Sequence, residues 1–412
     1  MDFRDMGKAR GMWYDYVIMA VVNLKKGKEK SVLLHHPWIF SGALKGVTGH
    51  AKAGDIVRVA DVSGNIIATG FYNPASPIPV RLFLWGNQPV EPSFWEAALE
   101  KAISGRNLLN RDPLTNAYRL IFSESDMLPG LIVDRYGDYL IMQTLNPGMD
   151  RMKVTLAKHL MEMVKPMGIY EKNDSDIRKL EGLTFRSGLL LGEPIPETIE
   201  ITEHGYQFLI DPIKGQKTGF YLDQRENRAI VARYAGDKTV LDAFSYTGGF
   251  SVYAAVGGAG SLTRVDTSQE ALDLGSRNLS LNIGTSIPDE PMKGNVFQVL
   301  RKFRDEGRQF GMIILDPPKL APTRAHRGRA TRGYKDINVL ALKLLQPGGI
   351  LATFSCSGGI NAETFERILS WAAKDARREV QILKRLFQGP DHPVRLSFPE
   401  GAYLKGFLCR VL

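Results

Sequence analysis

Cysteine is almost absent from this sequence, which holds two among 412 residues, Cys356 and Cys409. So few cysteines exclude a disulfide-stapled scaffold and predict a protein of the reducing cytoplasm. Long apolar runs are also lacking, since no stretch reaches the ~18 residues of a membrane-spanning helix. The apolar segment 14–24 leads into KKGKEK rather than a small-residue cleavage site, which is unlike a signal peptide. Residues 1–18, before Met19, are expected to form an irregular extension.

Acidic residues are in deficit, with 44 Asp and Glu against 53 Lys and Arg and a net charge of +9. Residues 21–90 contain eight basic and three acidic side chains, so they carry over half of the excess. Such a balance favours a polyanionic partner, nucleic acid above all. The alternative is a basic protein with no such partner.

Residues 21–90 contain short alternating strands separated by turns. DIVRVAD and IIATGFY flank Ser63-Gly64-Asn65, which is typical of a hairpin, and IPVRLFLW is a further strand. We expect a small β-barrel here. LKKGKEKSVLLHHPWIFSGAL and the hairpin resemble the PUA domain, an RNA-binding barrel. The resemblance implies that Lys26, Lys28, Lys30 and Trp38 contact RNA; alternatively, Trp38 and Phe40 belong to the barrel core.

Residues 91–195 are predicted to form a small α+β middle domain. Ser93 and Glu96 have the spacing of a capping box at the start of a helix. A second helix is expected over about 150–164, and Tyr136-Gly137-Asp138 is expected to turn a hairpin.

Residues 196–412 alternate apolar strands with helical stretches, which predicts an α/β domain with a doubly wound, largely parallel sheet. The strands are predicted in KTVLDAF, SLTRVD, FGMIILD and GGILATFS, and the helices in SQEALDLGSRNLSLN, INVLALKLL and NAETFERILSWAAKDA. EVQILKRLF and YLKGFLCRVL should form an antiparallel hairpin at the sheet edge.

Four strand ends carry polar residues suited to a nucleoside ligand. Asp242, Asp266, Asn295 and Asp316 follow successive strands, and ligands of such sheets bind outside the carboxyl ends of the strands. Asp266 could accept hydrogen bonds from the hydroxyls of a ribose, and Asn295 could accept one from an adenine amino group. The AFSYTGGF turn lacks the GxGxxG cradle for a pyrophosphate, which indicates S-adenosylmethionine rather than NAD. Individually, Asp242 could be a helix cap and Asp-Pro-Pro a rigid turn.

Several motifs together resemble the RlmI-like family, bacterial 5-methylcytosine methyltransferases of large-subunit ribosomal RNA. They are GQKTGFYLDQRENR, LDAFSYTGGFS, LDPPK, RGYKDIN, FSCSGG and DHPV…FPEGAYLKGF. The resemblance implies a class I methyltransferase fold (Rossmann-like, seven-stranded) behind a PUA barrel and a middle domain, and it suggests a homodimer. The implied cofactor residues are Tyr221, Asp223, Arg225, Asp242, Phe244, Tyr246, Thr247, Gly248, Asp266, Thr267, Ser268, Asn295, Asp316 and Pro317. Relatives often carry Asp where this chain has Asn295.

Cys356 comes after the strand ILATF and before SGG, among small residues that leave room for a flipped base. Cytosine C5 becomes nucleophilic once a thiolate adds to C6, so a cysteine facing the cofactor would separate carbon from nitrogen methylation. We expect Cys356 to be the nucleophile and Asp316 to hold the cytosine edge; the alternative for Cys356 is a small core residue. Cys409, in mid-strand, is assigned to the core.

The basic segment 322–336 follows the LDPPK strand and is expected to be a phosphate-tracking loop. Its basic residues are Arg324, Arg327, Arg329, Arg332 and Lys335, with Lys319 just before; a solvated loop and a surface lysine are the alternatives. The sequence thus predicts methylation of C5 of a cytosine in 23S ribosomal RNA, naked or in an assembly intermediate, with S-adenosylmethionine converted to S-adenosylhomocysteine. The rivals are an amino-group RNA methyltransferase, since DPPK resembles the Asp-Pro-Pro-aromatic motif, and a non-catalytic RNA-binding or assembly protein. No metal is expected.

Overall fold

A computed structural model describes residues 20–284, 286–320 and 327–412. The extension expected before Met19 and the predicted RNA contact Arg324 lie outside the described residues. The chain forms two compact units: the first runs to residue 199 and includes 212–218 and 391–401, and the second comprises 200–211, 219–390 and 402–412. None of the helices in the described ranges has the length and apolar composition of a membrane span. The domain boundaries proposed at residues 90 and 195 stay a prediction.

The first unit begins with a six-stranded sheet in the order β2-β6-β5-β4-β1-β3. Its elements are β1 Val21–Leu24, α1 Glu29–Leu33, β2 Trp38–Ile39, β3 Leu44–Thr48, β4 Ile56–Ala60, β5 Ile66–Tyr72 and β6 Val80–Trp85. The predicted hairpin is confirmed: β4 and β5 pair antiparallel, and Asp61 accepts hydrogen bonds from the backbone N–H groups of Ser63 and Asn65 in the turn. Val22, Val57 and Leu82 are among the buried side chains of its core.

A five-stranded sheet in the order β11-β10-β9-β8-β7 follows in the same unit. Its strands are β7 Ala117–Phe122, β8 Leu131–Tyr136, β9 Tyr139–Thr144, β10 Gly168–Asn173 and β11 Arg186–Gly192. Its helices are α2 Phe94–Ser104, α3 Asn107–Asn110, α4 Pro147–Val164 and α5 Ile177–Leu180. The Tyr136-Gly137-Asp138 hairpin is confirmed by antiparallel pairing of Tyr136 with Tyr139. The predicted capping box is wrong, because Ser93 has a helical backbone (φ −81°, ψ −2°) and its side chain makes no cap hydrogen bond.

The second unit contains all but the first residue of a hairpin formed by β12 Ile199–Glu203 and β13 Tyr206–Ile210, and it contains a seven-stranded sheet. The sheet strands are β14 Thr239–Ala243, β15 Ser261–Asp266, β16 Asp289–Lys293, β17 Phe310–Leu315, β18 Leu345–Ser355, β19 Val380–Phe387 and β20 Lys405–Val411. Their order is β16-β15-β14-β17-β18-β20-β19, and the first five are parallel. The expected C-terminal hairpin is confirmed, with β20 antiparallel to both β18 and β19.

Among the described residues of this unit, the helices that accompany the sheet are α6 Arg225–Ala232, α7 Gly249–Val256, α8 Gln269–Ile283, α9 Val296–Asp305, α10 Arg327–Leu344 and α11 Ala362–Ala376. Ser268 and Asn361 cap α8 and α11 by accepting from backbone N–H groups. The predicted loop over 322–336 is wrong from Arg327 onward, since that part is helical. Ala330, Tyr334 and Ile337 have helical spacing and are buried, so core packing extends α10 into the basic segment.

Candidate active site

Four polar residues predicted at strand ends lie along one edge of the seven-stranded sheet. Asp242 is the fourth residue of β14, Asp266 ends β15, Asn295 follows β16 by two residues, and Asp316 directly follows β17. Because these strands are parallel, their carboxyl ends share one edge. That edge is where open α/β sheets bind ligands.

The turn between β14 and α7 has an unusual backbone. Phe244, Tyr246 and Gly248 have φ values of 66°, 48° and 77°. A Cβ at Gly248 would lie 3.3 Å from the Cα of Gly275 in α8, so both the backbone angle and the close approach favour glycine. Residues other than glycine persist at positive φ where their surroundings hold them, and they cluster at ligand clamps.

The same turn and Asp266 offer polar atoms to a ligand. The Asp266 carboxylate accepts from the backbone N–H groups of Tyr246 (2.9 Å) and Ser268 (3.0 Å), one on each oxygen, so each oxygen keeps capacity for another donor. Within the described residues, the buried hydroxyls of Ser245 and Thr247 have no hydrogen-bond partner. Unpaired buried polar atoms are costly, and a polar ligand would satisfy them. These groups fit the ribose hydroxyls and the amino-acid end of S-adenosylmethionine, and Thr267 continues the same edge.

Asp242 lies deeper than the other strand-end residues. It is 1% exposed and accepts a hydrogen bond of 2.6 Å from the Ser251 hydroxyl in α7. Burial raises the pKa of Asp242 to about 6, and the hydrogen bond from Ser251 and the positive charge of Arg264 act in the opposite direction. This carboxylate therefore ties β14 to α7, the two elements that flank the turn.

The segment Tyr221–Arg225 reaches the same edge through side chains. The Gln224 amide donates to Asp316 (3.0 Å), and the Tyr403 hydroxyl donates to Asp223 (2.6 Å). Arg225 is fully buried. Tyr221 contacts Tyr246 edge-to-face with ring centroids 5.5 Å apart, and burial, followed by the charges of Asp316 and Asp223, raises its pKa well above the usual range. The structure therefore brings this predicted segment together with Asp316 and the turn.

Cys356 is the first residue after β18, next to the end of β17, where Asp316 is followed by the buried Pro317. Its side chain is half-buried rather than enclosed in hydrocarbon. Cys409 is 1% exposed in the middle of β20, and burial raises its pKa to about 12. The prediction that Cys409 belongs to the core is confirmed.

Two residues that the sequence did not single out hold the loop after Cys356. The Tyr334 hydroxyl lies 2.9 Å from the Ser357 hydroxyl, and the Lys405 ammonium donates to the Ser357 carbonyl oxygen at 2.7 Å. Tyr334 and Lys405 lie in RGYKDIN and YLKGF, two of the motifs on which the family resemblance rests. Their place in these two motifs is the sequence feature that could have identified Tyr334 and Lys405 as site residues.

The predicted RNA contacts are divided between the units. Lys26, Lys28 and Lys30 are exposed on the first unit, whereas Lys319, Arg329, Arg332 and Lys335 belong to the second. Arg329 and Arg332 project from α10 as exposed side chains, and Lys335 pairs with Asp375.

Trp38 has structural partners. Its indole N–H donates to Glu124 (2.8 Å), and its ring packs edge-to-face on Phe398 and lies beside the Arg81 guanidinium. These contacts favour a structural role for Trp38 over base stacking. The alternative that Trp38 and Phe40 belong to the barrel core is wrong, because the partners of Trp38 lie outside that core and Phe40 is 50% exposed.

The sheet order, the acidic residues at the strand ends and the turn between β14 and α7 together define a class I methyltransferase. Residues 22–85 match the PUA-like domain family, and residues 185–410 match the S-adenosylmethionine-dependent methyltransferase family. The chain is 44% identical over 391 residues to the ribosomal RNA large subunit methyltransferase I of Klebsiella pneumoniae (strain 342), covering 94% of this chain and 98% of the relative. The same-named protein of Escherichia coli O157:H7 is 43% identical over 390 residues, with the same coverage.

Solved structures share this architecture. "A putative SAM-dependent methyltransferase from Streptococcus mutans" superposes with a TM-score of 0.83 at 21% identity, over 95% of this chain and all of that one. A methyltransferase complexed with SAH gives a TM-score of 0.82 at 22% identity, with the same coverage. The chain belongs to the S-adenosylmethionine-dependent methyltransferase family, together with the ribosomal RNA large subunit methyltransferase I proteins, and its cofactor is S-adenosylmethionine. The fold class predicted from the sequence is confirmed.

Proposed function

We propose that this protein methylates C5 of a cytosine in large-subunit ribosomal RNA, with Cys356 as the covalent nucleophile. The observation that carries the proposal is a half-buried cysteine immediately after β18, beside the strand end that bears Asp316. The names of relatives that are 43–44% identical support the RNA substrate. The exposed lysines of the first unit and the exposed arginines of α10 supply positive charge for phosphates.

Each step of this chemistry assigns a task to a residue of the chain. The Cys356 thiolate forms a bond to C6 of the cytosine. The electron pair of the C5=C6 bond becomes a C4=C5 bond and the pair of the C4=N3 bond moves onto N3, which makes C5 an enamine carbon. When bound, S-adenosylmethionine supplies the electrophilic methyl group that C5 accepts. The C5 proton then leaves to solvent, the C6–S bond breaks, and the C5=C6 bond and the thiolate are restored.

Asp316 and the cofactor pocket position the reactants. Asp316, oriented by Gln224, would accept a hydrogen bond from the exocyclic amine of the base. Asp266 and the hydroxyls of Ser245 and Thr247 would hold the cofactor, with Asn295 accepting from its adenine amine. A base that reaches this edge must leave its helical stack.

Replacement of Cys356 tests the proposal. Ribosomal RNA from a strain lacking the gene is incubated with the full-length protein and S-adenosylmethionine, digested to nucleosides and analysed by mass spectrometry. The wild-type protein should yield 5-methylcytidine, and Cys356→Ala should yield none while it binds S-adenosylmethionine normally by calorimetry. Cys409→Ala is the matched control and should stay active, because Cys409 is buried in β20.

A second readout tests the covalent route directly. RNA that contains 5-fluorocytidine should form a stable adduct on Cys356, because fluorine blocks the loss of the C5 proton. An active Cys356→Ala variant would refute the nucleophile, and an amino-methylated nucleoside would refute carbon methylation. Failure of the wild-type protein to bind S-adenosylmethionine would indicate a non-catalytic RNA-binding protein.

A further inference from the structure

Lys405 is a buried ammonium group at the end of β20. It is 6% exposed and pairs in antiparallel register with Ser355, the residue before Cys356. Its Nζ donates to the carbonyl oxygens of Ser357 (2.7 Å) and Tyr403 (2.9 Å). Within the described ranges, no carboxylate forms a salt bridge with it. A buried ammonium group without a paired anion is costly, which points to a use for its charge.

Lys405 contacts the two neighbours of Cys356, one through the β18–β20 register and one through a hydrogen bond. The ammonium group has three N–H donors, and the two carbonyls accept two of them. The Tyr334 hydroxyl in α10 also lies 2.9 Å from the Ser357 hydroxyl. The residue that follows Cys356 is therefore held by two different elements, which limits where the thiol can move.

The electrostatic surroundings couple Lys405 to the thiol. Burial lowers the pKa of Lys405 to about 8, while negative charge on Cys356 raises it and the charge of Lys319 lowers it. Negative charge on Cys356 also contributes to raising the pKa values of Tyr221 and Tyr334. The charges of Asp316 and Asp223 raise the pKa of Tyr221 further. The interaction between two charges is mutual, so the ammonium group favours the thiolate as much as the thiolate favours the ammonium.

We propose that Lys405 is a positioning residue for the methyl transfer: its ammonium group stabilises the Cys356 thiolate and, through the Ser357 carbonyl, fixes the loop from which the thiolate attacks. This inference rests on the proposed function of Cys356. A thiol must be ionised to act as a nucleophile, and a nearby lysine is one of the environments that lower a thiol pKa. No atom is transferred to or from Lys405.

The test compares Lys405→Gln and Lys405→Arg with the wild-type full-length protein. The rate of alkylation by iodoacetamide is measured as a function of pH, and peptide mass spectrometry confirms that Cys356 is the residue alkylated. The pH at which the alkylation rate of Cys356 is half its maximum should rise by about one unit in Lys405→Gln. Alkylation at pH values below this midpoint should then be about tenfold slower. Lys405→Arg should restore most of the shift because it keeps the charge. Lys384→Gln is the matched control, since Lys384 is exposed on the neighbouring strand β19.

Turnover provides the second measurement. The acid limb of the pH profile of kcat should move up with the alkylation midpoint in Lys405→Gln, while the Kd for S-adenosylmethionine stays within about twofold. An unchanged midpoint would overturn the inference, whether or not turnover falls. Alkylation requires no RNA, so the two proposals fail separately. A shifted midpoint without 5-methylcytidine refutes the proposed function alone, and Cys356-dependent 5-methylcytidine with an unshifted midpoint refutes the role of Lys405 alone.

Discussion

The buried carboxylate of Asp242 should make the stability of the second unit fall as pH rises, and Asp242→Asn should remove that dependence. Burial raises the pKa of Asp242 from 3.8 to about 6. The folded state therefore binds the proton more tightly than the unfolded state, and the difference costs stability once the group ionises. The effect is absent well below pH 3.8, grows between about pH 4 and 6, and is complete above about pH 6.

The size of the effect follows from the shift. About two pKa units correspond to about 3 kcal/mol of unfolding free energy at pH 8. The difference in unfolding free energy between Asp242→Asn and the wild type should therefore change by about 2 kcal/mol between pH 4.5 and pH 8. Asparagine is close in shape to the neutral acid, and its carbonyl oxygen can still accept from the Ser251 hydroxyl. The variant should therefore be the more stable protein at pH 8, by an amount that shrinks toward pH 4.5.

Hydrogen–deuterium exchange in increasing urea, read by mass spectrometry on peptides that cover β14, measures the unfolding free energy of this unit. Asp305→Asn is the control for the loss of an exposed carboxylate from the same unit, because Asp305 lies at the end of α9, where its partner is Arg304. A pH-independent difference for Asp242→Asn, or one that grows toward acid, would refute the reasoning.

Four further predictions concern the site and the RNA contacts. Tyr334→Phe removes the 2.9 Å hydrogen bond with the Ser357 hydroxyl, so kcat should fall and stability should drop by about 0.5–1.5 kcal/mol, with cofactor affinity unchanged by calorimetry; equal kcat would contradict the role of Tyr334 in holding the loop after Cys356. Gly248→Ala strains a backbone at φ 77°, so it should cost about 1–2 kcal/mol in urea unfolding and weaken cofactor binding, and normal binding would contradict the role of the turn. Asn295→Asp should lower the Kd for S-adenosylmethionine a few-fold, since a carboxylate accepts more strongly than an amide, and a raised Kd would place the adenine elsewhere. Arg332→Gln should reduce the slope of log K against log salt for RNA binding by about 0.7–1, and an unchanged slope would exclude a phosphate contact.

Local patterns predicted the features of this fold that depend on short stretches of chain. Apolar strands with Asp242, Asp266 and Asp316 at or next to their ends are visible without coordinates, because burial on both faces demands continuous apolar residues and the ligand edge demands polar ones. The position of Cys356 directly after a strand was equally visible. The failures were also local: the basic residues of 327–336 suggested a loop, although Ala330, Tyr334 and Ile337 already had the spacing of a buried helical face.

What the sequence determined by itself was the set of chemical groups and the strand ends that carry them, because these follow from the periodicity and composition of contiguous segments. Only the tertiary structure decided which distant groups surround them. Lys405 lies 49 residues beyond Cys356 and reaches its neighbours through the antiparallel register of β18 and β20. Trp38 likewise has its hydrogen bond and ring contacts with Glu124 and Phe398, far along the chain. Register and burial are set by the packing of the whole sheet, so no single stretch of the chain encodes them.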